Sequence, residues 1–542
     1  MRTKWKRPFT ALVAGGLVAS LVACGGDDPG SAPVDLDGKR VGAMADFAVG
    51  TPFKATEPLD FGILYNDHAN YPIKNEWMLW SELTSRTNVT LKPTVVPNSD
   101  YDQKRSLVIG AGDAPEIISK TYPGMERPFV ASGAILPVSD YLDLMPNFKA
   151  KIEKWGLKKD LDTLRQEDGK FYVLPGVHEA PWQDYTLAFR TDELARLGIA
   201  TPKTWDEVHT ALKAIKAAHP DSYPLSDRFE GKALLNVLGM TYGAAAGWGY
   251  VNATWDEGAG KLEFSAASPQ YKEMLEYLRK LVDEGLLDPE SFTRKDDQIA
   301  IRKFANGESF AISANAQNVV NDYRPAISGI PGATVAKIPL PSGPAGNLIT
   351  GSRLENGLMI PAKAAESEHF VAMMQYVDWV WYSEEGQELV KWGVPGTTYD
   401  KDASGKRVLN PGITYAGTNT GAPKHLQKDF GFAGGVFAYG GPTELLRSTF
   451  TAEEIAFQEE MAKKTPAPLV PPYPFTEEER EQASLWETPL KDYAQQSALQ
   501  FVLGDRDLST WDAYLAELDA KGRTQFVDLA NSAHQRYKQK NG

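Results

Sequence analysis

Apolar and polar positions follow two different periods along this chain of 542 residues. Short apolar runs bounded by turn residues read as strands, and stripes at helical spacing read as amphipathic helices. LDFGILY (59–65) predicts a strand that runs into the loop NDHANYP. NEWMLWSELTSR predicts a helix, with Trp77, Trp80 and Leu83 on one face. VTLKPTVVP (89–97) predicts a second strand, YDQKRSLVIGAG a helix ending at glycine, and APEIISK (114–120) a third strand. This βαβαβ order begins a doubly wound sheet and puts the chain in the α/β class.

The same reading continues downstream. In TPKTWDEVHTALKAIKAAHP (201–220), Thr204 and Glu207 form a capping box, and Trp205, Val208, Leu212 and Ile215 line one face. In SPQYKEMLEYLRKLVDEGLLDPE (268–290), the stripe is Tyr271, Met274, Leu275, Leu278, Leu281 and Val282, and Gly285 ends it. NATWDEGAGKLEFS (252–265) and TTYDKDASGKRVLN predict hairpins. Two consecutive helices are predicted in 367–393 and two more in the C-terminal tail. Trp205, Trp379, Trp381 and Trp511 lie on helices and are assigned to the core, as are Trp77 and Trp80.

The N-terminus has its own grammar. Arg2, Lys4, Lys6 and Arg7 precede an apolar run from Phe9 to Ala23, and a polar tract follows. That is the layout of a secretory signal, and the run falls short of the roughly 20 residues a spanning helix needs. Cys24 is the only cysteine, so no internal disulfide is possible. LVAC (21–24) resembles the lipobox of bacterial lipoproteins. The resemblance implies that residues 1–23 are removed as a signal peptide. It also implies that Cys24 carries diacylglycerol and fatty-acyl chains such as palmitate, anchoring the protein on the extracellular or periplasmic face of the cell membrane. GGDDPGSAPVDLDGK (25–39) reads as part of a flexible tether spanning 24–55. The net charge is −14, and loss of the basic leader would make the remainder more acidic still, which disfavours nucleic acid as a partner.

Catalytic spacing is missing. The sequence has no GxSxG, P-loop, GxGxxG, HExxH or zinc-type Cys/His cluster. His178-Glu179 has no second histidine at the helical offset. DKDASG (400–405) imitates half a calcium loop, but its twelfth position is Pro411, which offers no carboxylate. No metal or cofactor is expected. With 71 acidic residues some carboxylate pair is inevitable, so a pair carries no weight for sugar hydrolysis.

Several passages together resemble the family 1 extracellular solute-binding proteins of ABC importers, in particular the LplA-like lipoproteins of carbohydrate uptake. They are GAGDAPEII (110–118), DGKFYVLPGV (168–177), YTLAFRTDELARLGIATPKTWDEV (185–208), LVDEGLLDPESF (281–292), KFANGESFAISAN (303–315), YSEEGQELVKWGVPGTTY (382–399) and FVLGDRDLSTWDAYLAELDAKG (501–522). The resemblance implies a two-lobed α/β, periplasmic-binding-protein-like fold of type II, with a hinge and an interlobe ligand cleft. Lobe 1 is expected at 56–182 plus 325–430, and lobe 2 at 183–324 plus 431–542. It further implies a monomer that captures an oligosaccharide or sugar derivative and delivers it to ABC permease subunits without chemistry. Alginate-type relatives carry an Asp/Asn-rich calcium loop after the PKTW helix. KAAHPDSYPLS (216–226) lacks those ligands, which puts calcium there in doubt.

Sugars present C–H faces that stack on aromatic rings and hydroxyls that need fixed hydrogen-bond partners. Loops at strand ends are the expected place for both. The candidates are Asn66, Asp67 and Asn70; Lys120 and Tyr122; Trp182, Gln183, Asp184 and Tyr185; Asp227 and Arg228; Trp248 and Tyr250 in a glycine-rich loop; and Asn315 and Gln317. Two other functions stay open from sequence: a secreted polysaccharide hydrolase or lyase, and a binding protein for a non-sugar solute such as a peptide.

Overall fold

In this computed structural model, residues 35–437 and 439–541 are described. The expected signal peptide and the lipidated Cys24 lie outside them. The strands of the first half are β1 (Leu59–Asp67), β2 (Val89–Pro97), β3 (Ile117–Thr121), β4 (Leu174–Val177), β5 (Thr186–Arg190) and β6 (Leu225–Ser226). They are followed by β7 (Ala253–Asp256), β8 (Lys261–Phe264), β9 (Ala311–Ala314), β10 (Val335–Lys337), β11 (Leu348–Ile349) and β12 (Leu354–Met359).

Two sheets organise the body. The first runs β2-β1-β3-β12-β4, with β1 parallel to both β2 and β3 and with β12 antiparallel to β3 and β4. The βαβαβ start is therefore doubly wound, as the apolar pattern predicts. Ile63 and Leu64 are adjacent in β1 and both fully buried, because helices cover both faces of the sheet. The second sheet runs β10-β5-β9-β6. The β7–β8 hairpin forms at the expected place, and the second expected hairpin pairs Tyr399–Lys401 with Arg407–Leu409.

Each sheet has its own core. The helix Phe370–Tyr382 is buried at every position, so it is a central helix of the first core rather than a surface one. Its Asp378 accepts hydrogen bonds from the backbone N–H of Asn147 and Phe148, at 2.9 and 2.8 Å, and caps the helix Pro146–Trp155. The second core is built on the helices Trp205–Ala218 and Pro269–Asp283, capped by Thr204 and Ser268, and on the 27-residue helix Glu477–Leu503.

The division between lobes differs from the expected boundaries. Residues 325–349 belong to the second lobe, because β10 pairs with β5 and Ile338, Leu340 and Ile349 enter the second core. Residues 431–445 belong to the first lobe, where Phe432, Val436, Phe437 and Leu445 are buried. The described part of the expected tether also packs down: Phe53 and Ala55 lie in the first core, and Val41 N–H donates to the Glu368 carbonyl at 2.9 Å. The chain passes between lobes near residues 178–186, 350 and 450. Gln183 stitches these passages together. Its Oε1 accepts from Thr350 N–H at 3.3 Å, and its carbonyl accepts from Gln458 Nε2 at 2.9 Å.

Candidate functional site

β1 and β3 lie side by side although β2 intervenes in sequence, so the strand order reverses at their carboxyl ends. A crevice there is the expected ligand position in such a sheet. A cavity of about 400 Å³ opens at this point between the two lobes. The first lobe contributes Asn66 at the end of β1, His68 and Tyr71 just after it, Lys120 at the end of β3, and Tyr415, His425 and Tyr439. The second contributes Gln317, Asn321, Arg324 and Lys337. Trp182, Asp184, Phe450 and Glu454 come from the passages between lobes.

Aromatic rings form much of the wall. Trp182 stacks on Phe450 at 5.2 Å and lies parallel to His178 at 6.3 Å. Tyr71 sits between His68 and His425, at 5.5 and 5.6 Å. Its hydroxyl reaches across the cleft and accepts from Gln317 Nε2 at 3.0 Å and Asn321 Nδ2 at 2.7 Å. Burial holds both imidazoles below the usual histidine pKa, helped by Lys120 at His68 and by Lys428 at His425. Nδ1 of His68 accepts from Asn70 N–H, and Nδ1 of His425 from Gln427 and Lys428 N–H. Each ring therefore keeps its proton on Nε2, as a neutral donor.

The second-lobe wall is charged but paired. Lys337 Nζ donates to Asp184 Oδ1 at 3.0 Å and to Glu454 Oε1 at 2.9 Å, above the Phe457 ring. Burial pushes the Glu454 carboxyl up, against the pull of Lys337. Arg324 pairs with Glu453. Among the described residues, no cluster of three His, Cys, Asp or Glu side chains is placed to hold a metal ion.

The candidates separate clearly. Asn66, Trp182 and Gln317 line the cavity, as do Lys120 and Asp184. Asp67 does not: its Oδ1 accepts from Ile73 N–H at 2.8 Å and shapes the turn. Tyr122 is exposed beside the cavity, with Lys120 Nζ over its ring. Arg228 is buried between Phe229 and Tyr323 and bonded to Asn318 and Asp322, which makes it a structural cation. Asn315 caps the turn at 316–318 in a reciprocal box with Asn318. Tyr250 is in the second core. Tyr185 packs against that core and meets Trp248, whose ring also touches Phe229 and stays 43% exposed outside the cavity.

Sequence reasoning missed Tyr71, His68, Tyr415, His425, Tyr439 and Phe450. The signal that selected Trp248, an aromatic residue outside any periodic pattern and next to glycine, also marks Tyr439 in the stretch preceding Gly440 and Gly441.

Residues 70–388, more than half of the chain, match the family model described as bacterial extracellular solute-binding protein. The chain is 22% identical over 559 residues to the fructooligosaccharide ABC transporter substrate-binding protein FusA of Streptococcus pneumoniae, covering 96% of both. It is 28% identical over 329 residues to the polygalacturonan/rhamnogalacturonan-binding protein YtcQ of Bacillus subtilis, covering 59% of each. The crystal structure of the alginate-binding protein AlgQ2 without calcium ion superposes with a TM-score of 0.70 at 21% identity, over 89% of this chain and 99% of that one. That likeness gives the two-lobed, periplasmic-binding-protein-like fold. On the family match, this chain belongs to the bacterial extracellular solute-binding proteins.

Proposed function

We propose that this protein captures an oligosaccharide or sugar derivative between its lobes and delivers it to the membrane permease of an ABC importer. It works as a monomer held to the outer face of the membrane by lipid on Cys24. The observation that carries this reading is the cavity itself. Its volume is in the range of small-molecule sites, its walls come from both lobes, and it pairs aromatic surfaces with neutral hydrogen-bond donors. Stacked rings suit the C–H faces of sugars, and the His68, His425, Gln317 and Asn321 groups suit their hydroxyls. The fructooligosaccharide and polygalacturonan ligands named for FusA and YtcQ support the same class.

Function follows from hinge closure. Tyr71 already bridges the lobes through Gln317 and Asn321. A ligand touching both walls favours the closed state by its differential contacts, and no bond in the ligand changes. Among the described residues no helix is long and apolar enough to cross a membrane. This reading assigns attachment to Cys24 on the lipobox-like LVAC (21–24).

The test is a thermal-shift and calorimetric screen over mono-, oligo- and acidic saccharides and short peptides. An oligosaccharide at a hundred times its Kd should stabilise the protein by about 2.7 kcal/mol and be recovered intact. Stabilisation by peptides alone would end the sugar reading, and new reducing ends would end the transport reading. Mass spectrometry of the membrane fraction should find a lipid thioether on Cys24, and Cys24→Ser should release the protein.

A further inference from the structure

Lys120 is strained and central, and among the described residues it has no ionic partner. It lies in β3 at the edge of the cleft with φ of +53°, a left-handed conformation that is strained for a residue with a side chain. Such strain concentrates at ligand sites. Its Nζ donates to the Tyr439 hydroxyl at 2.6 Å and lies over the Tyr439 and Tyr122 rings, at 5.0 and 5.4 Å. Two phenol rings thus hold a half-buried ammonium on the cavity wall.

The surrounding charges are already committed. Lys337 is matched by Asp184 and Glu454, and Arg324 by Glu453. His68 and His425 are held neutral. Asp67 bonds Ile73 N–H through Oδ1. Glu355, whose charge reaches Tyr122 and Tyr439, is bonded to His178 at 2.7 Å and sits beside Lys391. Among the described residues, no carboxylate forms an ion pair with Lys120, so its ammonium is the one full positive charge on the cavity wall left unmatched. An ammonium on a cavity wall with no carboxylate beside it is a ready partner for an anion arriving with the ligand.

We propose that Lys120 makes this cleft selective for an acidic oligosaccharide, with the carboxylate of a hexuronate residue seated on the Lys120 ammonium and its ring against the aromatic wall. One ammonium matches one monoanion, which favours a carboxylate over a phosphate dianion. The proposal rests on the oligosaccharide reading above and adds the charge of the ligand to it.

The test is calorimetry on the full-length chain with oligogalacturonates, oligomannuronates and oligoglucuronates, their methyl esters, and neutral fructooligosaccharides. An acidic oligomer should bind at least tenfold more tightly than its own ester. Raising salt from 50 to 500 mM should weaken the acid several-fold and leave the ester unchanged. Lys120→Met should cost the acid at least tenfold more than it costs the ester, and Lys120→Arg should retain the preference. If a neutral saccharide binds best, and Lys120→Met and salt leave it unchanged, the charge proposal is overturned while the oligosaccharide reading stands. Equal loss of acid and ester in Lys120→Met would also overturn it, since Lys120 would then only shape the wall. If no saccharide binds, both readings fail.

Discussion

Trp182→Ala isolates the proposed platform. Trp182 is half-buried, stacked on Phe450 and His178, and lines the cavity. A tryptophan offers about 150–250 Å² of surface in all, and a ligand ring lying on the open part of this one covers roughly 60 Å² of it. At about 25 cal/mol per Å² this contact is worth about 1.5 kcal/mol, or about tenfold in Kd. Calorimetry with the best saccharide from the screen should show that loss. Trp182→Phe should keep about half of the binding energy lost in the alanine variant. A thermal melt separates ligand loss from damage to the His178–Trp182–Phe450 stack. Unchanged affinity, within twofold, in a variant that melts with the wild type would remove Trp182 from the site and with it the main aromatic argument for a sugar.

Three further outcomes are expected. Tyr71→Phe deprives two cross-cleft donors of their acceptor, at about 0.5–1.5 kcal/mol each. Solution scattering should then give a larger radius of gyration without ligand, and an unchanged curve would deny the bridge a role in closure. Gly351→Ala drives a Cβ into the Ala467 carbonyl oxygen at the middle passage between lobes, so the melting temperature should fall by the equivalent of about 1–3 kcal/mol; a wild-type melt would show that this approach is not tight. Burial pushes the Lys151 ammonium down to about 7, against 10.5 unfolded, so the unfolded chain holds more protons above pH 7 and stability rises with pH there. The gain from pH 7 to 9 is about 2 kcal/mol, and denaturant titration of Lys151→Met should show a flatter profile, whereas a slope equal to the wild type's would clear Lys151 as its cause.

The regular elements were legible wherever apolar spacing and caps coincide, as in β1, β2 and the helices opened by Thr204 and Ser268. The helix Glu477–Leu503 escaped because its buried seam is largely Ala483, Ala494, Ser497 and Ala498, which leaves little apolar stripe, and because Pro489 interrupts it. The lobe boundary near 325 failed because a three-residue edge strand, β10, carries too short a pattern to announce which sheet it joins. Within the site, Asn66 was readable as the end of a strand. The glycine-rich loop around Trp248 lies outside the cavity. A Cβ on Gly247 would clash with the Lys232 carbonyl oxygen, so that glycine permits close packing on a neighbouring helix. In sequence Arg228 has the character of a ligand-binding cation, and only its contacts with Asp322 and Asn318 distinguish it as a structural one. Tyr71 acts through its reach to the opposite lobe, a relation that no local pattern encodes.

The proposed platform and the hinge share residues, and this bears on how binding becomes closure. Trp182 precedes Gln183, which bonds both Thr350 on the middle passage and Gln458 beyond the last one. Phe450, stacked on Trp182, stands on that last passage. On the other side of the stack, His178 is fixed in the first lobe by Glu355, whose Oε2 also accepts from Gly440 N–H. Asp184 and Glu454, joined through Lys337, anchor the same passages to the second sheet. A ring pressed on Trp182 therefore bears on all three passages at once. A ligand that touches one wall alone has nearly equal affinity for open and closed forms and moves nothing, however tightly it binds. A ligand long enough to reach Asn66 on one lobe and Gln317 on the other gains contacts only when the cleft shuts. Affinity and closure should thus rise together with saccharide length up to the span of the cavity.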